Sequence, residues 1–110
     1  MKGDRLGELE ELTLLAVLAL GDEAYGTAVQ EVIEREARRE VSLGAVYAAL
    51  ERMERKAYVR SGLTGTPVGP GGKRRRVFDI TPAGLRVVSD VRRGRDALWK
   101  AAPRAARERS

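Results

Sequence analysis

Cysteine and histidine are both absent from this sequence of 110 residues. Their absence removes disulfides, thiolate nucleophiles, zinc-finger ligand sets, imidazole bases and the serine–histidine–aspartate triad together. No metal site and no cofactor is expected. Carboxylate chemistry and a lysine nucleophile survive that exclusion. The acids, however, sit mostly on helical segments beside arginines, with no clustered acid pair, so an enzyme is not expected. Long apolar runs are also lacking. The longest, Leu14 to Leu20, has seven residues, against the ~20 that span a bilayer. The N-terminal MKGDRLGELEEL has no apolar core of the kind that marks an export signal. A cytoplasmic protein that does not meet a membrane is the expectation.

What is present is a one-domain complement of core residues. Hydrophobic side chains make up 43% of the sequence, enough to pack and too many for wholesale disorder. A chain of this size buries only ~60–70% of its unfolded surface, which invites support from a partner subunit. The charge is segregated. Residues 1–56 carry eight basic and twelve acidic side chains, a net of −4, whereas residues 57–110 carry thirteen and four, a net of +9. A preference for Arg over Lys, seventeen to four, reflects composition. The segregation does not, and a half-molecule this basic points at a polyanion.

The periodicity predicts a mainly α chain with a small β-hairpin. Leu9, Leu12, Leu15, Ala16 and Ala19 repeat at three and four over a helix 8–20. Leu14, Val17, Leu18 and Leu20 widen its apolar face, so it is nearly all buried or shared with a second subunit. Gly21 stops it. A second helix runs from Gly26 to Arg38 with a charged outer face. Ser42 caps a third, Leu43 to Lys56, whose Val46, Leu50 and Met53 face inward. Its first turns are thin, with Gly44, Ala45 and Ala48. Tyr58 to Leu63 reads as a strand, and the nine residues TGTPVGPGG, with four Gly and two Pro, read as a loop. Lys73-Arg74-Arg75-Arg76 then opens the returning strand through Phe78 and Ile80. Thr81 and Pro82 start a last helix. Leu85, Val88, Val91, Leu98 and Ala102 form its stripe, and Pro103 ends it.

Three helices followed by a strand, a wing and a second strand are the order of a winged helix-turn-helix. Residues 1–81 are assigned to that domain, 82–103 to a C-terminal dimerisation helix, and 104–110 to a disordered basic tail. Over residues 8–100, LTLLAVLALGDEAYGTAVQEVIE, VSLGAVYAALERMERKAYV and GGKRRRVFDITPAG resemble the PadR-like transcriptional regulators. The specific pieces are Tyr25-Gly26, the pattern Ser42-x-Gly44-x-x-Tyr47-x-x-Leu50, and Phe78-x-Ile80-Thr81-x-x-Gly84. The resemblance implies a homodimeric repressor of the short subfamily, bound to a palindromic double-stranded operator and open to release by a small effector. Two positions depart from the family pattern. Ala57 stands where the third helix usually ends in Gly, and Val77-Phe78 supplies one aromatic of the usual two.

The candidate DNA contacts are Ser42, Gly44, Ala45, Tyr47 and Ala48 on the third helix, and Lys73, Arg74, Arg75 and Arg76 on the wing. A recognition helix meets base edges with its N-terminal residues. None of the five is Arg, Asn or Gln, so bidentate base reading is poor; Ala45 and Ala48 suit a thymine methyl, Ser42 and Tyr47 a phosphate. The alternative for Tyr47 is a half-buried core residue. Strand alternation points Arg74 and Arg76 opposite to Lys73 and Arg75, so not all four bind. Leu12, Leu15, Val88, Val91, Leu98 and Trp99 are the candidate dimer interface. Trp99 also offers a wall for a small planar apolar effector between subunits. A winged-helix module that binds RNA, or an acidic protein in a larger complex, is the competing reading.

Overall fold

The computed structural model describes residues 6–63 and 75–109. The fold has four main helices and one short hairpin: α1 (Glu8–Leu20), α2 (Gly26–Glu36), α3 (Leu43–Arg55), β1 (Val59–Leu63), β2 (Arg76–Ile80) and α4 (Pro82–Ala101), followed by a short α5 (Arg104–Arg107). The glycine-rich segment expected at the tip of the hairpin, with Lys73 and Arg74, lies outside the described residues.

The local signals hold at the helix starts. The Ser42 hydroxyl accepts the Ala45 N–H at 3.0 Å, and the Thr81 hydroxyl accepts the Gly84 N–H at 3.0 Å. Each satisfies an N–H that the helix leaves without a partner. Helix ends come earlier than the periodicity suggests. α2 stops at Glu36, short of the expected Arg38, because Arg38 takes a left-handed φ of 54°. α3 stops at Arg55 in a full Schellman turn: Ala57 N–H bonds Glu54 C=O at 3.0 Å and Tyr58 N–H bonds Met53 C=O at 2.8 Å. Beyond Pro103, where a disordered tail was expected, the chain makes the helical turn of α5.

β1 and β2 pair antiparallel, Val59 with Ile80 through Leu63 with Arg76. A bridge from Tyr25 to Val77, with Phe78 N–H donating to Ala24 C=O at 2.9 Å, ties the start of α2 to the hairpin. Val46, Leu50 and Met53 of α3 are fully buried with Phe78, Leu14 and Val29 in one core. Helix α1 is apolar on two sides. Its core side is Glu10, Thr13, Leu14 and Val17, all buried. Leu12, Leu15, Ala16 and Ala19, four of the five residues whose spacing announces the helix, line an open groove of about 350 Å³ against α2, with Arg92 also in its lining.

The buried acids of α1 bind the helices together. Glu10 accepts the Gly7 N–H at 2.9 Å and Arg52 Nε of α3 at 2.9 Å, with Lys56 Nζ at 3.7 Å. Burial pushes its carboxyl up, but the Gly7 N–H and the two cations win and hold it below the ordinary value of 4.5. Glu11 takes a bidentate grip from Arg95 of α4, with contacts of 3.0 and 2.8 Å. Two glycines of the family-like motifs are sites of close approach. A Cβ on Gly84 would stand 2.1 Å from Tyr58 C=O, and one on Gly26 would stand 2.3 Å from the Tyr47 ring. Gly84 lets α4 dock on the turn after α3. Gly26 lets Tyr47 of α3 lie over the start of α2.

Candidate nucleic-acid interface

Helix α3 presents one face to the core and another to the outside. The outward stripe is Gly44, Ala48, Glu51 and Arg55, all exposed, at helical intervals of four, three and four. A Cβ added at Gly44 would meet nothing within 4 Å, so the stripe begins on open space. Ser42 is exposed at its N-terminus, and Ala45 lies partly covered beside it. The stripe thus holds two of the five predicted helix residues and adds two that sequence reasoning missed, Glu51 and Arg55. The signal was available: both continue the spacing that starts at Gly44. The turn entering α3 is braced from α2, with Gln30 Nε2 donating to Val41 C=O at 2.9 Å and Val41 N–H donating to Glu34 at 3.2 Å.

Tyr47 is half-buried. Its ring meets Phe78 at 6.4 Å between centroids, inclined by 59°, and it covers Gly26. The ring packs against Phe78, and its hydroxyl end lies at the first residue of α2.

The wing arginines separate by face. Val59, Ser61 and Leu63 of β1 share the core-facing side with Ile80, Phe78 and Arg76 of β2. Arg76 is therefore turned inward. It donates to Glu54 of α3 at 2.7 Å and to the Ser61 hydroxyl at 3.1 Å, with its Cζ 4.9 Å from the centre of the Phe78 ring. The guanidinium expected on a phosphate is held within the protein. Arg75 is exposed, with its Cζ 4.2 Å over the Tyr25 ring. On the outer side Arg60 and Asp79 are paired at 3.8 Å.

The predicted dimer residues also divide. Val88 is 1% exposed and belongs to the core of its own chain, so it is not available to a partner. Its place on the stripe of Val91 and Leu98 hid this, because periodicity does not say which molecule covers a face. Leu12 and Leu15 line the α1–α2 groove, and Val91 is half-buried. Leu98 and Trp99 are 76% and 58% exposed. Arg107 of α5 lies 6.0 Å from the Trp99 ring. Among the described residues no group of acidic side chains is placed to hold a metal ion. Nor is any helix there long and apolar enough to cross a membrane.

A three-helix unit with an outward-facing third helix, followed by a hairpin packed beside it, defines a winged helix-turn-helix protein. Residues 14–90 match the family described as Transcriptional regulator PadR-like family, and the chain belongs to that family of DNA-binding regulators. Solved structures agree on the fold. A PadR family transcription regulator from hypervirulent Clostridium difficile is 26% identical, with a TM-score of 0.65 over 81% of this chain and 91% of that one. A transcriptional regulator from Clostridium thermocellum is 21% identical, with a TM-score of 0.66 over 84% of each chain. A PadR-like transcriptional regulator from Bacillus cereus is 20% identical, with a TM-score of 0.63 over 79% of this chain and 82% of that one. No protein of curated function matches the sequence significantly.

Proposed function

We propose that the protein acts in the cytoplasm as a homodimeric, sequence-specific repressor that binds a palindromic operator in double-stranded DNA. The observation that carries this reading is the outward stripe of α3, thin at Gly44 and Ala48 and charged at Glu51 and Arg55. Thin residues let the helix start enter a major groove. Glu51 suits the amino group of a cytosine, and Arg55 suits guanine or a phosphate. Glu51 also disfavours an acidic protein partner on this face. The hydroxyls of Ser42 and Tyr47, beside the starts of α3 and α2, meet phosphates. Arg75 adds a wing contact.

The dimer is supported by two features of one chain: the exposed Leu98 and Trp99, and the apolar α1–α2 groove with Leu12 and Leu15. The partner's α4 fills that groove. A small planar apolar effector binds against Trp99 between subunits and shifts the spacing of the two recognition helices.

Selection of duplexes from a random-sequence pool tests the core of this reading. A recovered palindrome supports it; recovery without sequence preference would defeat specific binding. A promoter fusion carrying that site should fall in activity when the protein is expressed. Tyr47→Phe removes only the hydroxyl. Affinity for the recovered duplex should drop ~10–150-fold, the worth of a hydrogen bond to a charged group, while the melting temperature stays put.

A further inference from the structure

We infer that Arg76, Glu54 and Ser61 form a latch that fixes the angle between the hairpin strands and α3, and that Arg76 sets operator discrimination without being a phosphate ligand. The inference rests on the reading of α3 and the hairpin as a DNA-binding pair.

The latch sits where the core gives out. On the inner face of the hairpin, Val59 and Phe78 are buried, but the next cross-strand positions are Ser61, Arg76 and an exposed Leu63. No buried apolar side chain holds this outer half of the described hairpin to α3. Polar groups hold it in a closed ring of three. Arg76 donates to one Glu54 oxygen at 2.7 Å and to the Ser61 hydroxyl at 3.1 Å; that hydroxyl donates to the other Glu54 oxygen at 2.8 Å. The Phe78 ring supports the guanidinium from below at 4.9 Å. Every member has a geometric reason to stay. Glu54 lies beside Arg55 and one turn from Glu51, the charged part of the outward stripe. A hairpin pinned there moves with the part of the helix that faces the bases.

The side chains of Arg76 and Glu54 are 39% and 35% exposed. A pair this open contributes little to global stability. Its effect is geometric: two elements engage one duplex together only at the correct mutual angle, and the loss of that angle penalises the recognised site more than random DNA. Two of the guanidinium nitrogens are already committed, which leaves Arg76 poorly equipped for a phosphate.

The test uses the full chain, the duplex recovered by the wild type from a random pool, and a scrambled duplex of equal length. Glu54→Gln raises the net charge by one. Plain electrostatics makes it bind both duplexes more tightly. The latch predicts the opposite for the recovered duplex, a loss of roughly tenfold, about that of one charge-assisted hydrogen bond, with scrambled binding unchanged or tighter. Arg76→Ala should give the same loss of discrimination with an unchanged salt dependence; a lost phosphate contact would reduce the log–log slope by ~0.9. The charge-swapped pair Glu54→Arg with Arg76→Glu should regain most of the discrimination. Ser61→Ala, which deletes one hydroxyl, should show part of the loss and serves if Arg76→Ala does not fold. Tighter binding of both duplexes by Glu54→Gln, or a reduced slope in Arg76→Ala, would overturn the latch and make Arg76 a phosphate ligand. Variants indistinguishable from wild type would overturn the latch alone. A wild type that recovers no preferred duplex would overturn the DNA reading, and the latch with it.

Discussion

Up to Val88, helices α1 to α3, both strands and the first turns of α4 each cover part of one core; past Val88, α4 buries no large side chain in its own chain. Phe78, Leu50 and Met53 are fully enclosed, while Leu98 and Trp99 stand open. The apolar residues of the two regions are of the same kind and follow the same spacing. They differ in what answers them. In the body the inward stripes meet other elements of the chain, the groove side of α1 excepted. Along distal α4 the bidentate Arg95–Glu11 contact ties the helix to α1, and the apolar side chains beyond it face outward. Periodicity announces that a face is to be covered; it does not announce by which molecule.

The sharpest break of this contrast is Phe78→Ala. Phe78 is the largest fully buried side chain and joins the hairpin to the helices. Removing it should cost ~3–5 kcal/mol, read as a lower urea midpoint with an unchanged slope. A loss below about 1 kcal/mol would mean that the hairpin folds apart from the helices.

The distal region should respond in assembly and not in fold. Val91→Glu together with Leu98→Glu places two charges on the open stripe. Each apolar side chain buried at an interface contributes ~1.5–3 kcal/mol, so the dimer dissociation constant should rise at least roughly a hundredfold. Light scattering should report monomer, and circular dichroism should report a body that keeps its helices. A dimer of unchanged mass would remove α4 from the interface.

A smaller effect separates body from distal helix by pH. The Gly7 N–H, Arg52 and Lys56 outweigh burial and hold the Glu10 carboxyl below its ordinary value of 4.5. A depressed folded-state value stabilises the fold above the unfolded value, and that contribution is lost as pH falls through the folded one. Stability should therefore decline on acidification from about pH 5 downward. Glu10→Gln should start lower at neutral pH and decline less steeply, in urea melts taken across that range.

Much of the body was legible because its signals are local. Ser42 and Thr81 announce their helices within three residues, and Val46, Leu50 and Met53 repeat along one face. Alternation split the wing cations between two faces, but it did not say that Arg76 is on the inner one. What was not legible is long-range. Glu10 and Glu11 look like a solvated helix start, yet their partners Arg52 and Arg95 are 42 and 84 residues away. The core side of α1 contains Glu and Thr, so the apolar spacing traced the groove side instead. Of the candidate site, Gly44 and Ala48 were visible as a thin surface. Glu51 and Arg55 were passed over because a charged helix position ordinarily reads as solvated surface.

The smallest expected change is a gain. Ala57 occupies the left-handed position of the Schellman turn after α3, with φ of 63°, where the family pattern has Gly. The turn keeps both of its characteristic hydrogen bonds, and Ala57 C=O also accepts the Thr81 hydroxyl at 2.6 Å. The chain has therefore kept the geometry and accepted the strain of a Cβ in that region, about 1–2 kcal/mol. Ala57→Gly removes the strain. It also loosens the unfolded chain, which takes back part of the benefit. The net gain should be ~0.5–1 kcal/mol, or a few degrees in melting temperature. Both α3 and α4 are anchored at this turn, so their positions stay as they are and duplex affinity should not move. A melting temperature that falls would show that the side chain of Ala57 is held by contacts worth more than the strain.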